Sequence, residues 1–431
     1  MTNPTVTITT LTTQGEGLGK IEGKVVFVPF ALPGETWEIE IVDRRKKYDR
    51  ALPLKCLSSD APEIPRAEPP CPYYGACGGC QLQHTPYDEQ LRLKRDWLLE
   101  TFQRLAQMEA AVNDLVPSPP WEYRNKVTIP IIQNDNRYAL AYHKQYQPDE
   151  HEPVMDCPIA HATIRRFIPV LVKALNAVKP TLKSYSQKSQ GSRAVFRIHG
   201  QECLIALEET DIPAKKVDRF IDRLFEPGNS IDALEIYEEG TKDKLTITKD
   251  KEDSAPGVDT ASFVQVNDAV CESLYEYVVN LPYEKNQSIL DGYCGTGILT
   301  RCLADRFETT VGVEAEKTAA QDAQDQVKKQ GLEGRVRIHH RAMERYLDET
   351  DDTFDAVIVN PPRAGLSEPV REKLLKTNPR DIVIISCHPA AMIRDLQNLL
   401  QSNYEIDTIQ PFDMFPQTYH LETVVHLKKA W

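Results

Sequence analysis

The sequence predicts a multidomain α/β protein: an N-terminal OB-like β-barrel, a mixed α/β middle domain and a C-terminal Rossmann-like domain. Residues 5–57 alternate apolar and polar side chains between glycine turns, the pattern of short strands closing a small barrel. Residues 121–250 mix β-like runs with a helical stretch. From about residue 259, strands alternate with helices around a glycine turn, the pattern of a doubly wound, mainly parallel sheet. The resulting boundaries are 1–57, 58–258 and 259–431.

In the first segment the strand runs are VTITTLTT, KVVFVPF, TWEIEIVD and an extended return through Ala51-Leu52-Pro53-Leu54. Gly15, Gly17, Gly19, Gly23 and Gly34 are read as turn punctuation. Arg44-Arg45-Lys46-Lys47 is a basic cluster of the kind found in a solvated hairpin loop. The polar, proline-rich stretch 58–70 is a linker. A cysteine-bearing segment and a helix around 86–112 follow. The middle segment reads as strands KVTIPII, RYALAYH, AVFRIHG and CLIALEE, with a helix near 161–178. The last segment predicts strands at Ser288–Asp291, Thr310–Glu314, Val336–His339, Ala356–Asn360, Ile382–Ser386, near Tyr404–Gln410 and at Thr423–Leu427.

Composition narrows the class. The 431 residues are 41% hydrophobic and 27% charged, ordinary for a water-soluble protein. No apolar run approaches the roughly 18 residues of a membrane span. The N-terminus MTNPTVTITT lacks the basic and apolar regions of a signal peptide, so the cytoplasm is expected. In that reducing compartment the ten cysteines read as metal ligands, catalytic groups or buried apolar residues. A net charge of −13 argues against a uniformly basic polyanion binder, although whole-chain charge can conceal a local patch.

Three groups of residues carry chemistry. The first is Asp291-Gly-Tyr-Cys-Gly-Thr-Gly297, a glycine bend between strand and helix that lets backbone approach a nucleotide-like cofactor. Its G-x-x-G-x-G spacing is not the dinucleotide fingerprint. Glu314 ends the next strand and suits ribose hydroxyls, while Asn360-Pro361-Pro362-Arg363 ends a later one. S-adenosylmethionine fits this set better than NAD. The second group pairs Cys387, in Ile385-Ser386-Cys387-His388-Pro389-Ala390, with Glu422, in His420-Leu421-Glu422. A thiolate beside a carboxylate suggests covalent catalysis on an electron-poor ring; His388 and Arg363 are both candidates to favour the thiolate. The third is Cys71-x5-Cys77-x2-Cys80, with Cys157 as the natural fourth ligand. Four thiolates suit either zinc or an iron–sulfur cluster.

Taken together, these motifs resemble the RNA (uracil-5-)-methyltransferases, particularly the bacterial 23S rRNA type with a TRAM barrel and a [4Fe-4S] cluster. The resemblance spans essentially the whole chain. CPYYGACGGCQLQH with DCPI implies Cys71, Cys77, Cys80 and Cys157 as cluster ligands. SFVQVN, DGYCGTG and VGVE imply that Gln265, Tyr293 and Glu314 meet S-adenosylmethionine, with Asn360 beside them. SCHPA implies that Cys387 is the nucleophile, and HLETVV that Glu422 is the base. The implied reaction is methylation of uridine C5, on 23S rRNA by preference. Alternatives are the T-loop uridine of tRNA, or a non-catalytic iron–sulfur RNA-binding factor. A monomer without membrane attachment is expected. The chain departs from the family's usual Asp-Pro-Pro-Arg at Asn360, which keeps the size, loses the charge and gains an NH2 donor. Asn-Pro-Pro also resembles amino-methyltransferase motifs, but Arg363 stands where those carry an aromatic residue.

Overall fold

A computed structural model describes residues 3–59, 64–184, 191–199, 202–224, 233–237, 244–248, 265–285 and 287–430. The expected boundary at 258/259 lies outside the described residues. The chain forms two compact units. One comprises Met1–Tyr87, Pro119–Ala261 and Pro416–Tyr419; the other comprises Asp88–Ser118, Ser262–Phe415 and His420–Trp431.

In the first unit, strands β1 (Thr5–Leu11), β2 (Gly17–Ile21), β3 (Lys24–Val28), β4 (Glu35–Arg44) and β5 (Tyr48–Ser59) close a barrel in the order β1-β2-β3-β5-β4. Val6, Ile8, Val26, Val28, Ile39 and Ala51 fill it. Gly17 and Gly19, expected in turns, lie instead within strand β2. A Cβ on Gly17 would lie 2.6 Å from the Ala31 carbonyl oxygen, and one on Gly19 would lie 2.5 Å from that of Thr7. Those glycines therefore permit close backbone approach inside a strand rather than a turn. The basic cluster is exposed at the tip between β4 and β5.

Helix α1 (Tyr87–Ala106) comes next and belongs to the second unit. It ends at Ala106, short of the expected 112. The chain then returns to the first unit with β6 (Lys126–Asn134), β7 (Arg137–Lys144), β8 (Gln147–Pro153), α2 (Ala162–Val178), β9 (Thr181–Leu182), β10 (Arg193–His199), β11 (Glu202–Glu208), β12 (Thr210–Asp211), α3 (Val217–Leu224), β13 (Ala233–Tyr237) and β14 (Lys244–Thr248). Seven of these strands form one sheet, in the order β14-β13-β11-β10-β6-β7-β8. Helix α2 buries Ile164, Phe167, Ile168, Leu171, Ala174, Leu175 and Val178, a stripe at helical spacing. His161 caps it, accepting a hydrogen bond from the Thr163 amide at 3.2 Å.

The second unit continues with α4 (Asp268–Val279), β15 (Ser288–Gly292), α5 (Ile298–Leu303), β16 (Thr309–Glu314), α6 (Lys317–Lys329), β17 (Val336–His340), α7 (Met343–Glu349), β18 (Ala356–Val359), α8 (Glu368–Thr377), β19 (Asp381–Ser386), α9 (Pro389–Leu400), β20 (Tyr404–Phe412) and β21 (Glu422–Lys429). The sheet order is β17-β16-β15-β18-β19-β21-β20. The first five strands in that order run parallel, and β21 is antiparallel to both its neighbours.

Burial on both faces explains the unbroken apolar run DIVIIS in β19. Ile382 and Ile384 enter one core with Leu290, Val357 and Val359. Val383 and Ile385 enter the opposite core with Ile289, Ala356 and Ile358. Each fully buried side chain of this size contributes about 1.5–3 kcal/mol, which holds the carboxyl ends of these strands in fixed register. Leu98 and Phe102 of α1 join the first of these cores. Lys94 of the same helix forms a buried ion pair with Asp413 at 2.6 Å. No helix among the described residues is long and apolar enough to cross a membrane.

Candidate active site

Parallel strands deliver their carboxyl ends to one edge of the sheet, where a doubly wound fold binds its ligands. After β15 the chain bends through Tyr293, Gly295 and Gly297, all at positive φ. A Cβ on Gly297 would meet that of Ala323 on α6 at 3.0 Å. Glycine is thus required there by both conformation and space. Glu314, at the end of β16, accepts hydrogen bonds from the Gly295 amide at 2.9 Å and the Glu316 amide at 2.7 Å. Each carboxylate oxygen retains a further lone pair for another donor. Asn360 follows β18, and its amide donates to the Gly292 carbonyl at 3.2 Å, joining the two loops. Asp291, buried beneath the bend, accepts from Thr300 Oγ1 at 2.5 Å. Burial pushes its carboxyl up to about 7. Gln265 is partly buried ahead of α4.

Cys387 follows the last residue of β19, and Glu422 is the first residue of β21. Their strands pair antiparallel, with Ser386 opposite Thr423. Cys387 follows Ser386 in a bend and Glu422 precedes Thr423, so the two residues adjoin the end of this ladder. Glu422 is only 3% exposed. Desolvation pushes its carboxyl up to about 8, and the charge of Arg363 opposes the shift. Desolvation also raises the Cys387 thiol, and Glu422 raises it further. Arg363 favours the thiolate through charge and a hydrogen bond to Cys387. His388 is engaged differently: its Nδ1 accepts from the Ala391 amide at 3.2 Å and caps α9. Of the two residues that the sequence offered, Arg363 is the one turned to the thiol.

The loop presenting Arg363 is anchored from beneath. Gly365 turns at φ +78, and a Cβ there would lie 2.5 Å from both Arg394 Nη2 and Asp395 Oδ2. Asp395 is fully buried on α9 and accepts from the Leu366 amide at 2.8 Å. Arg394 Nη2 donates to the Ala364 carbonyl at 2.8 Å. Neither Asp395 nor Arg394 stood out in the sequence. The only local signal was the glycine two residues beyond Arg363.

In the first unit, Cys71, Cys77, Cys80 and Cys157 line one cavity of about 90 Å³, together with Tyr142 and Arg124. The Gly79 amide approaches Cys77 Sγ at 3.4 Å. Burial raises all four thiols, that of Cys77 to about 11. Among the described residues, no three His, Cys, Asp or Glu side chains form a group able to hold a metal ion. The expected ligands therefore share a cavity without forming a recognisable metal centre.

Comparison with known proteins decides the family. A family model described as tRNA (Uracil-5-)-methyltransferase matches residues 234–430, and a TRAM domain model matches residues 4–53. A protein of Aquifex aeolicus named as an uncharacterized RNA methyltransferase is 32% identical over 98% of both chains. The chain belongs to the RNA methyltransferases. A similarly named protein of Staphylococcus aureus is 31% identical over 97% of this methyltransferase and 96% of its own length. The crystal structure of Pyrococcus abyssi tRNA (uracil-54, C5)-methyltransferase with S-adenosyl-L-homocysteine matches with a TM-score of 0.72 and 25% identity. It covers 98% of this chain and 99% of its own. The barrel of this methyltransferase is accordingly a TRAM domain, and its substrate is RNA.

Proposed function

We propose that this enzyme methylates C5 of one uridine in a structured RNA through a covalent adduct between Cys387 and uracil C6, with Glu422 as the base. The placement of Cys387 and Glu422 at the end of one strand ladder, with Arg363 acting electrostatically on both, carries this reading. Attack of the thiolate on C6 breaks the C5–C6 double bond and leaves enolate character that makes C5 nucleophilic. C5 then takes the methyl group, and the methyl–sulfur bond of S-adenosylmethionine breaks to release S-adenosylhomocysteine as a neutral thioether. The Glu422 carboxylate accepts the C5 proton, and expulsion of Cys387 restores the double bond. Arg363 holds the thiolate before attack. Gln265, Tyr293, Glu314 and Asn360 are proposed to hold the methyl donor, with Glu314 accepting from ribose hydroxyls. Because a stacked uridine conceals C6, the base must leave the stack to react.

The three segments divide this work: 1–57 grips RNA, 58–258 carries the cysteine cavity and recognition elements, and 259–431 performs methyl transfer. The exposed Arg44–Lys47 tip offers phosphate contacts despite the net charge of −13. Cys71, Cys77, Cys80 and Cys157 would hold a [4Fe-4S] cluster. A single tetrahedral ion needs its thiolates gathered around one point, whereas a cluster distributes them over separate irons around an enclosed space. When bound, such a cluster would cross-link the loop at 71–80 to Cys157. Iron and acid-labile sulfide in anaerobically purified protein, both lost on Cys77→Ser, test this assignment independently of activity.

The RNA is proposed to be 23S rRNA, with tRNA as a second reading that one observation favours. A tRNA enzyme matches this chain end to end, so the barrel and central segment do not by themselves mark an rRNA enzyme. Incubation with labelled S-adenosylmethionine and unmodified 23S rRNA or tRNA, followed by nucleoside mass spectrometry, tests both. 5-Methyluridine in one RNA names the substrate; methylation at another atom overturns the mechanism.

A further inference from the structure

The loop that carries Arg363 ends on a buried ion cluster that the proposed reaction leaves without a role. The Gly365 amide donates to the Pro362 carbonyl at 2.8 Å, which closes a β-turn with Arg363 and Ala364 at its two central positions. Pro362, Arg363 and Ala364 are exposed, so burial does not hold the turn. Charge does. Asp395 on α9 has a side chain only 1% exposed. Its Oδ2 accepts from the Leu366 amide at 2.8 Å. Its Oδ1 accepts from Arg371 Nη1 at 3.1 Å and from Arg394 Nη2 at 2.8 Å. A buried carboxylate is tolerated when it is paired and hydrogen-bonded in this way.

Both guanidinium groups also reach the loop backbone. Arg371 Nη1 donates to the Leu366 carbonyl at 2.5 Å, and Arg394 Nη2 donates to that of Ala364 at 2.8 Å. A cluster that served only to join α8 to α9 would not end on three backbone groups of one loop. It fixes the chain one and three residues beyond Arg363. On the other side, the Asn360 amide is held by the Gly292 carbonyl at 3.2 Å. Arg363 thus sits between two anchors. An arginine side chain samples many rotamers, so a fixed backbone is what confines its guanidinium to the thiol.

We propose that Asp395 is a positioning residue: with Arg371 and Arg394 it fixes the Pro362–Gly365 turn and so holds the Arg363 guanidinium at the Cys387 sulfur. The proposal rests on the reading of Cys387 as nucleophile and Arg363 as its thiolate partner. In this role Asp395 acts through Arg363 and not on the reacting atoms.

The test uses the full chain and iodoacetamide labelling of Cys387, mapped by mass spectrometry across a pH series, with the exposed Cys302 as internal control. Asp395→Asn keeps the shape but turns an NH2 group toward donors that the carboxylate accepted. It is expected to slow Cys387 labelling about tenfold near neutral pH and to move the labelling profile upward by about one pH unit, because thiolate fraction governs the rate. Cys302 should label as in the parent. In the Arg363→Met background, Asp395→Asn should slow labelling no further, because changes that act through one interaction are not additive. Arg394→Gln, at a side chain 49% exposed, breaks the Ala364 contact and should give a smaller slowing of the same sign. It replaces Asp395→Asn as the deciding variant if that protein does not fold. Parental labelling of Cys387 in the deciding variant, or equal slowing with and without Arg363, overturns the role. The readout needs no RNA. If labelling responds as expected while the parent methylates no uridine, the methyltransferase reading fails and the positioning of Arg363 stands. If the parent methylates uridine while labelling does not respond, the positioning role alone fails.

Discussion

Cys387 and Glu422 flank the Ser386–Thr423 pair that ends the β19–β21 ladder, and the charge of Glu422 raises the Cys387 thiol. Because β21 runs against the parallel strands, the start of one strand meets the end of the other. A thiol and a carboxyl distant in sequence thereby share one desolvated corner, and Arg363 supplies its opposing positive charge.

That corner sets the pH dependence. Burial pushes Glu422 up to about 8, and burial together with Glu422 raises Cys387. Thiolate attack and proton removal both require deprotonated groups. Single-turnover methyl transfer should therefore rise with pH from 6 and keep rising beyond 8, because the thiol lies above its ordinary value of 9.0, with the apparent values belonging to the pair. Rates measured from pH 6 to 9.5 check this, and a flat profile contradicts it.

Stability should carry the opposite sign. The folded-state carboxyl of Glu422 lies above its ordinary value of 4.5, so the protonated form is favoured. Its contribution is fully present below 4.5 and is lost as pH rises through about 8. Glu422→Gln removes that loss. The variant should exceed the parent by on the order of a few kcal/mol at pH 8.5, and differ little near pH 4.5. Thermal denaturation at the two pH values reads the difference. An equal gap at both would exclude the buried-acid account.

Arg363 should act on the thiol directly. Arg363→Met is expected to slow iodoacetamide labelling of Cys387 about tenfold or more near neutral pH, because thiolate fraction governs the rate. Arg363→Lys should recover part of it. Mass-spectrometric mapping separates Cys387 from the other nine cysteines. Unchanged labelling in Arg363→Met would remove Arg363 from this role.

The loop beneath it gives a mechanical prediction. At Gly365, alanine meets both a left-handed backbone and a contact at 2.5 Å with Asp395 Oδ2. Gly365→Ala should cost about 1–3 kcal/mol and should reduce kcat more than S-adenosylmethionine affinity, since the displaced loop carries Arg363. Urea denaturation and calorimetric binding distinguish the two effects. A loss of S-adenosylmethionine affinity equal to that in kcat would contradict the assignment.

Much of this was readable in the sequence, and the misses have physical causes. The strands around DIVIIS and SILDG were legible because burial on both faces demands continuous apolar runs. The pairing direction of β21 was not, because alternation and length are the same in either sense. Strand β2 was hidden by Gly17 and Gly19, whose missing side chains relieve a close approach visible only once Ala31 and Thr7 are in place. A lone glutamate before an apolar run reads as solvated, and only the assembled sheet shows Glu422 buried. His388 looked as able as Arg363 to assist the thiol until its ring was seen capping α9.

The central claim is most directly tested by trapping the adduct. RNA with 5-fluorouridine in place of uridine has no C5 proton for Glu422 to take, so methylation should stall with Cys387 still bonded to C6. Protein incubated with that RNA and S-adenosylmethionine, then digested and mapped, should carry one nucleotide plus one methyl group on the peptide containing Cys387. Cys387→Ala should carry none. An adduct at any other cysteine, or turnover of uridine by Cys387→Ala, would contradict the account.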